Sequence, residues 1–483
     1  MKNLLSGLKP SEVFSYFNDL TRIPRCSGNE RQISDYLVDF AEDKGFEVVQ
    51  EPCLNVIIKK PATPGYESAP AVILQSHIDM VCSKDPELEF DFSKDPIPVA
   101  VDGDMVKTDG TTLGADNGIG VAMTMAILGS EEVSHPGLTG LFTVSEETGL
   151  VGASLLNPES LEGDILINLD SEEEGVFLGA CAGGTHLDIK LPVSRTDTSF
   201  DKTYRIDVDD LLGGHSGAEI DKNRANAIMI MGRLQEFLSE KTDLETVSLS
   251  GGDKMNAIPS SASVIVNIPG KITEDFISLI EEFSQSIKRE YRVADPDLII
   301  KAEPIEKTDK VLDRKSSEAL TDLLRLIPAG VQTMSEDIPG LVESSINPGV
   351  LSEKDGVISL SCLIRSSVGS LRQEILKRVE RLAALVGAEI EVISDYPEWE
   401  FKSDSYIRDL MAETWKELYG NPPKVTAIHA GLECGIIGAK KSGLDMVSLG
   451  PDTFNVHTPR ENISISSVNR VYKFLVELLS RVK

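Results

Sequence analysis

The chain of 483 residues carries 47 Lys and Arg against 78 Asp and Glu, which gives a formal net charge of −31. A surface this acidic repels nucleic-acid phosphates and anionic lipid headgroups, so we expect neither nucleic acid nor a membrane surface as a partner. No apolar stretch reaches the roughly 18 residues that span a bilayer, and the broken apolar pattern of the first residues argues against a signal peptide. The six cysteines are scattered without a Cys-x-x-Cys pair, which is typical of reduced thiols in a cytoplasmic protein.

The first part of the chain alternates between helical and strand patterns. Apolar residues recur at helical spacing over residues 10–45, and a second helix is predicted over 117–130. Four short runs of β-forming residues predict buried strands, at 56–60, 71–76, 140–145 and 164–169. This alternation predicts an α/β fold with a mostly parallel sheet.

From about residue 188 the pattern changes to alternating strands separated by long helices, which is typical of an α+β domain. The predicted helices are 223–240, 273–290, 314–327 and 370–386. The pattern occurs twice, over 188–305 and 306–396, although no sequence repeat supports a duplication.

The α/β pattern returns after residue 396, with helices predicted at 403–419 and 466–482. We therefore predict one catalytic α/β domain built from residues 1–187 and 397–483. An α+β domain of residues 188–396, with two possible halves, is inserted into it.

Histidine and acidic residues stand where predicted strands end. They are His77 and Asp79 after 71–76, Glu146 and Glu147 after 140–145, Asp170 after 164–169, His457 after the DMVSLG run, and Asp116 in a Gly-rich turn. Because sites in open parallel sheets form beyond the carboxyl ends of the strands, we expect these side chains to converge. Two His and three carboxylates suit zinc, manganese or cobalt. Five ligands suit two ions about 3.5–4 Å apart that share a carboxylate.

Two of these acidic residues suit other tasks. Asp79 lies two residues after His77, so in an extended segment it points the same way and can fix the tautomer of the His77 ring. Glu146 and Glu147 point apart, so one can bind metal while the other transfers protons. Each pattern alone is more often a surface feature; their coincidence at successive strand ends favours the metal site.

Nine segments together resemble the aminoacyl-histidine dipeptidases, bacterial cytosolic enzymes of the carnosinase and aminoacylase metallopeptidase clan. The segments are HIDMV, DGTTLGADNGIG, SEETGLVGA, INLDSEEEG, GGHSGAEI, MNAIP, CLIRSS, HAGLECG and HTP. The resemblance covers about residues 1–480 and implies two zinc ions, for which manganese or cobalt can substitute. It implies that Asp116 bridges the ions, and that the other ligands are His77 with Asp170 and Glu147 with His457. It further implies that Glu146 is the general acid/base, that Asp79 orients His77, and that the Asp116–Asn117 peptide bond is cis.

The inserted domain is a lid in this clan, and the resemblance assigns substrate-binding roles to it. His215 would polarise the scissile carbonyl and stabilise the oxyanion, with Asn256 as an amide donor. Arg365 would bind the substrate α-carboxylate. Glu433 is a candidate for binding the substrate amine, and His429 has no assigned role. Without the family, the sequence around His215 fits a structural loop histidine equally well. The sequence around Arg365 alone favours a strand residue paired with a neighbouring Glu.

The predicted function is metal-dependent hydrolysis of dipeptides with free termini, Xaa-His and broader. Two alternatives stay open: an N-acyl-amino-acid deacylase of the same clan, and a non-catalytic metal- or peptide-binding protein. Dimeric relatives have a smaller lid and complete their site with a neighbour's lid. The larger lid here leaves open whether the protein is a homodimer and whether His215 acts within its own chain.

Overall fold

The structure is a computed structural model that describes residues 5–483, and it divides into two compact units. The first unit contains the chain up to Ala180 together with Phe401–Ala427 and Leu432–Lys483. The second contains Cys181–Glu400 and Ile428–Gly431. The second unit begins earlier than the predicted insertion because the strand Gly183–Pro192 already belongs to its sheet.

Within residues 5–483 the chain forms eleven α-helices. They are α1 Ser11–Leu20, α2 Arg31–Lys44, α3 Ala115–Gly129, α4 Val151–Leu155, α5 Ala227–Lys241, α6 Thr273–Glu290, α7 Arg314–Leu326, α8 Gly369–Val386, α9 Tyr406–Tyr419, α10 Glu433–Lys440 and α11 Ile465–Arg481. The helical prediction over 10–45 corresponds to α1 and α2, which a ten-residue connection separates. None of the helices in this described part of the chain combines the length and apolarity that crossing a bilayer requires.

The same residues form 25 strands. They are β1 Glu47–Gln50, β2 Val56–Lys60, β3 Val72–His77, β4 Ala100–Asp102, β5 Met105–Lys107, β6 Leu138–Thr143, β7 Ile165–Asn168, β8 Val176–Cys181, β9 Gly183–Pro192, β10 Arg195–Asp197, β11 Lys202–Asp209, β12 Gly214–His215, β13 Glu245–Gly251, β14 Ala257–Ile258, β15 Ala262–Ile268, β16 Ile299–Ile305, β17 Lys310–Leu312, β18 Gly330–Met334, β19 Val342–Lys354, β20 Val357–Ser366, β21 Glu389–Tyr396, β22 Lys424–Ile428, β23 Asp445–Ser448, β24 Thr453–Phe454 and β25 Asn462–Ser464.

An eight-stranded sheet in the order β1-β2-β6-β3-β7-β23-β8-β22 forms the centre of the first unit. Its four central strands, β6, β3, β7 and β23, run parallel to one another. The pairs β1–β2, β2–β6 and β23–β8 are antiparallel. The predicted α/β class is confirmed, and the sheet is mixed with a parallel centre.

Apolar side chains of five helices pack against this sheet and form the core of the first unit with it. α1 contributes Phe14 and Phe17, and α11 contributes Phe474, which stacks on Phe177 of β8. Trp415 of α9 meets both rings edge-on. α2 and α3 complete the cluster. The strands β3, β6 and β7 are buried along their whole length, which is consistent with the absence of Asp, Glu, Lys and Arg from their sequences.

The second unit is built on one nine-stranded sheet, in the order β16-β11-β15-β13-β19-β20-β9-β21 with β18 paired to β19. The sheet pairs described in it are antiparallel. Side chains of α5, α6, α7 and α8 cover it in a single apolar cluster. Strands from both predicted halves therefore share one sheet and one core.

Cys26 and Cys82 form a disulfide bond, with their Cα atoms 5.6 Å apart. The expectation that all six cysteines are reduced is wrong for this pair. The segments that carry them lie side by side, joined by a bridge between Cys26 and Met80. The disulfide links residues 56 positions apart in sequence, which no local cysteine spacing reveals. Cys53, Cys181, Cys362 and Cys434 are not in disulfides.

Candidate metal centre and substrate-binding residues

The parallel strands of the first unit bring the predicted ligands to one edge of the sheet. In the register of β3 with β6, His77 lies opposite Thr143, so Glu146 and Glu147 follow close to the end of β3. In the register of β3 with β7, Gln75 lies opposite Asn168, two residues before Asp170. The convergence predicted from sequence thus follows from strand direction and register.

Asp116 lies between two histidines and offers one carboxylate oxygen to each. Its Oδ1 is 3.0 Å from Nε2 of His77, and its Oδ2 is 3.0 Å from Nε2 of His457. His77 Nε2 is also 3.4 Å from Asp170 Oδ1, and His457 Nε2 is 3.0 Å from Glu147 Oε2. The two sides of one carboxylate therefore belong to two different groups of donors.

Three overlapping triads in the described residues have donor atoms within 4.8 Å of one another. They are His77 with Asp116 and Asp170, His77 with Glu146 and Glu147, and Asp116 with Glu147 and His457. Imidazole nitrogens combined with carboxylate oxygens are a donor set that zinc, manganese and cobalt accept. The residues present therefore fit a divalent metal. We call the first and the third of these triads the outer triads, and Asp116 alone belongs to both.

Asp79 lies behind His77 and holds the segment after β6. It is fully buried, and its Oδ1 lies 3.3 Å from His77 Nδ1. Its carboxylate accepts hydrogen bonds from the backbone N–H groups of Glu146 at 3.0 Å and Glu147 at 3.3 Å. Burial alone would raise the pKa of Asp79, but the contact with His77 holds it below its ordinary value. One carboxylate therefore positions a predicted ligand and the predicted base together.

The crowding of acidic groups shifts the pKa values of residues within the cluster. Burial, with the charges of Asp170, Glu433 and Glu147, raises the pKa of Glu146 well above its ordinary value. Burial also raises the pKa of Asp170 to about 6. Hydrogen bonds to Asp116 and Glu147 raise the pKa of His457 to about 11. The pKa values of Glu146 and Asp170 are thus raised because these carboxylates share a buried, poorly solvated volume with other acidic groups.

The Asp116–Asn117 peptide bond is cis, as the family resemblance implied. Both residues have non-helical torsion angles although they lie at the start of α3. The backbone around them is held by Glu461, whose carboxylate accepts hydrogen bonds from the N–H groups of residues 113–116. Sequence analysis missed Glu461, since its partners lie nearly 350 positions away and no local pattern connects them.

His215 in the second unit is held in one tautomer by its own loop. Its Nδ1 accepts hydrogen bonds from the backbone N–H groups of Gly217 at 3.2 Å and Ala218 at 3.0 Å. Burial and the charge of Arg365 lower its pKa. A neutral ring with an acceptor at Nδ1 carries its proton on Nε2. His215 is therefore suited to donate a hydrogen bond from Nε2.

Asn256 lies beside His215 through a short two-stranded pairing of β12 with β14. In that pairing His215 is opposite Ala257, and the Asn256 carbonyl accepts a hydrogen bond from Ser216 N at 2.9 Å. Asn256 is exposed. The structure thus places Asn256 immediately before β14, the strand that pairs with β12 and so with His215.

Arg365 is a buried cation, and among residues 5–483 no Asp or Glu forms an ion pair with it. It is 6% exposed, its Nη1 donates to the hydroxyl of Tyr396 at 3.1 Å, and its Nε has no partner. An unpaired buried charge costs several kcal/mol, about 3–5 kcal/mol where a partner has been removed. The arrangement therefore favours an anion-binding role over the alternative of a structural pair with Glu.

His429 joins the same group of side chains in the second unit. Its Nε2 lies 2.7 Å from the hydroxyl of Ser345, which faces Arg365 across β19 and β20. Burial and the charges of Arg365 and His215 lower the pKa of His429 to about 3. His429 is therefore a neutral hydrogen-bonding residue beside Arg365.

Glu433 lies in the first unit, fully buried beneath the strand ends. Its Oε2 accepts hydrogen bonds from Gln75 at 2.5 Å and Thr143 at 2.7 Å. Burial raises its pKa to about 7. With no exposed surface, Glu433 is better suited to supporting β3 and β6 than to binding a substrate amine.

The profile of Peptidase family M20/M25/M40 matches residues 73–481. This chain belongs to that family. The cytosol non-specific dipeptidase of Escherichia coli K12 is 37% identical over 480 residues, which are 99% of this chain and 99% of that protein.

Solved structures of relatives agree with this assignment. The aminoacylhistidine dipeptidase from Vibrio alginolyticus has a TM-score of 0.92 and 36% identity, and the match covers 99% of this chain and 98% of that one. Aminopeptidase PepT from Bacillus cereus has a TM-score of 0.56 at 16% identity and shares the fold. The family resemblance read from the motifs is confirmed, and the chain is an enzyme of a peptidase family.

The first prediction concerns metal binding at Asp116. Zn²⁺ added to metal-free protein should stabilise it, by about 2.7 kcal/mol at 100 times the dissociation constant. Asp116→Ala should remove most of this stabilisation, because Asp116 belongs to both outer triads. Thermal unfolding with and without Zn²⁺ measures the effect.

Asp295→Asn provides the matched control. Asp295 is a buried carboxylate of the second unit that accepts hydrogen bonds from Leu212 N and Ala225 N. This variant should be less stable than the parent and still respond fully to Zn²⁺. An equal Zn²⁺ response in the parent and in Asp116→Ala would show that the cluster does not hold the metal.

Proposed function

We propose that the protein is a cytoplasmic dipeptidase that hydrolyses dipeptides with free termini, using two divalent cations, zinc by preference. The observation that carries the proposal is the position of Asp116, with one oxygen towards His77 and the other towards His457. His77 with Asp170 would hold one ion, and Glu147 with His457 the other. The names of the relatives in Escherichia coli and Vibrio alginolyticus support the dipeptidase assignment.

Glu146 is the proposed general acid/base. When bound, the cations would lower the pKa of a water molecule and polarise the scissile carbonyl. Glu146 forms a triad with His77 and Glu147 but belongs to neither of the two outer triads, so it is not one of the proposed metal ligands. Its carboxylate would accept the proton of the attacking water and deliver it to the nitrogen of the leaving amine. The fixed backbone N–H bond to Asp79 orients the residue for both transfers.

His215 is the proposed donor to the developing oxyanion. The two backbone N–H groups that donate to Nδ1 fix the tautomer, so Nε2 carries the hydrogen that can be donated to a substrate oxygen. A neutral imidazole stabilises a negative oxygen by donating a hydrogen bond, and it keeps its proton as it does so. We propose that Asn256, which immediately precedes the adjacent strand β14, is a second donor.

Arg365 is the proposed binding group for the substrate α-carboxylate. A guanidinium that is buried without a carboxylate partner gains an ion pair when a carboxylate arrives. Tyr396 fixes one of its nitrogens. Recognition of a free C-terminus would limit the substrate on that side of the scissile bond.

The deacylase alternative makes a different demand on the substrate amine. A dipeptidase requires a free N-terminus, whereas a deacylase accepts an N-acyl group in its place. The full-length similarity to a named dipeptidase favours the first. Turnover of a dipeptide compared with its N-acetylated form distinguishes the two, and faster turnover of the acetylated form would reject the proposal.

A second prediction concerns Glu146. Glu146→Gln should bind as much metal as the parent, because the amide only removes the proton-transfer group. The variant should lose about 10²–10⁴-fold in kcat, the usual contribution of general acid–base catalysis. Elemental analysis and dipeptide hydrolysis on the same preparation measure both quantities.

Glu147→Gln is the contrasting variant, since Glu147 lies 3.0 Å from His457 in a proposed ligand set. It should lose metal as well as activity. A Glu146→Gln variant that keeps the parent kcat would remove Glu146 from its proposed role.

The third prediction concerns Arg365. Arg365→Ala should lower kcat/KM for a dipeptide by about 10–100-fold, the value of a charge-assisted hydrogen-bonded contact. It should change kcat/KM for the C-terminal amide of that dipeptide much less. Arg365→Lys should restore little, since an ammonium cannot make the paired contact. Equal losses on the acid and the amide would show that Arg365 does not bind the carboxylate.

A further inference from the structure

Glu461 uses both oxygens of a buried carboxylate on the turn that carries Asp116. Its Oε2 accepts from Leu113 N at 2.7 Å and Gly114 N at 2.9 Å. Its Oε1 accepts from Ala115 N at 2.7 Å and Asp116 N at 3.2 Å. The side chain is 2% exposed. Four consecutive N–H groups are thus satisfied by one side chain.

A carboxylate is required for this arrangement. It offers about four lone-pair sites on two equivalent oxygens and carries no hydrogen of its own. A glutamine of the same shape would turn an NH₂ group towards two of the four N–H groups, leaving those donors unpaired in the interior. The negative charge also lies at the N-terminal end of the 15-residue helix α3, where the helix dipole favours it.

Glu461 also belongs to the loop that carries His457. Its backbone N–H donates to the Thr458 carbonyl at 3.1 Å, within the same short loop. His457 and Asp116 are 341 residues apart in sequence, and their side chains meet at 3.0 Å. One loop therefore supplies a proposed ligand and holds the backbone of another.

Arg25 holds the same turn by donating hydrogen bonds to backbone carbonyls, whereas Glu461 accepts them from backbone N–H groups. Its guanidinium donates to the carbonyls of Gly114, Ile78 and Asp79, and the side chain is 3% exposed. A Cβ atom at Gly114 would come within 2.3 Å of an Arg25 nitrogen, so only glycine fits at this position. The N–H of Gly114 thus donates a hydrogen bond to Glu461, and the carbonyl of Gly114 accepts one from Arg25.

We propose that Glu461 is a positioning residue for the metal centre. Its hydrogen bonds hold Asp116 and His457 at the separation that is required to bind a cation on each side of Asp116. The inference rests on the proposed metal centre. It gives Glu461 no contact with substrate and no part in proton transfer.

Co²⁺ titration of metal-free, full-length protein tests this, because visible absorption reports the geometry of the ligands. Glu461→Gln should bind Co²⁺ about 10–100-fold more weakly, the usual cost of losing a group that orients ligands. Its absorption spectrum should differ from that of the parent. Glu461→Asp, which keeps the charge on a shorter side chain, should recover part of the affinity.

Glu51→Gln is the matched control. Glu51 is a buried carboxylate of the first unit that accepts hydrogen bonds from Asn157 N and Asn55 Nδ2, both at 2.8 Å. It belongs to none of the donor triads. This variant should bind Co²⁺ with the affinity and spectrum of the parent, whatever its loss of stability.

Three outcomes would overturn the proposal. The first is a Glu461→Gln variant with the affinity and spectrum of the parent. The second is an equal loss of affinity in Glu51→Gln. The third is loss of the folded circular dichroism spectrum in both Glu461 variants but not in Glu51→Gln, which would assign Glu461 to the fold alone. A parent protein that binds no Co²⁺ would instead reject the proposed metal centre.

Discussion

Asp116 must present its two carboxylate oxygens to histidines from opposite ends of the chain, and much of the first unit serves that requirement. His77 arrives at the end of a central parallel strand, while His457 comes from a loop near the C-terminus. The fully buried strands fix the first, and the Glu461 loop fixes the second. Several carboxylates are thereby held close together, which is electrostatically unfavourable without cations. Burial and these neighbouring charges together raise the pKa of Glu146.

The sequence predicted the parts of this arrangement that depend on local pattern. Helix α6 was predicted at its observed bounds because its apolar residues recur at helical spacing. Strand β2 was also predicted at its observed bounds, because it is a short run that begins with three β-branched apolar residues. The proposed ligands were also predictable from local pattern, since a polar residue that follows a buried parallel strand lies at the carboxyl edge of the sheet. The cis bond at Asp116 came from the family resemblance and agrees with the structure.

What the sequence did not reveal depends on partners far away in the chain. Glu461 reads as an ordinary surface acid until its four backbone partners are seen. The Cys26–Cys82 disulfide arises from two segments brought side by side, not from cysteine spacing. Glu433 was assigned to a substrate amine, whereas its burial against Gln75 and Thr143 favours a supporting role. The tautomer of His215 likewise depends on loop geometry.

The central claim is that hydrolysis depends on cations held on both sides of Asp116. The most direct measurement is a Zn²⁺ titration of metal-free protein in which bound zinc and dipeptide hydrolysis are determined on the same samples. We expect no hydrolysis before zinc is added and full hydrolysis as bound zinc approaches two ions per chain. Full hydrolysis by the metal-free protein in the presence of a chelator would contradict it.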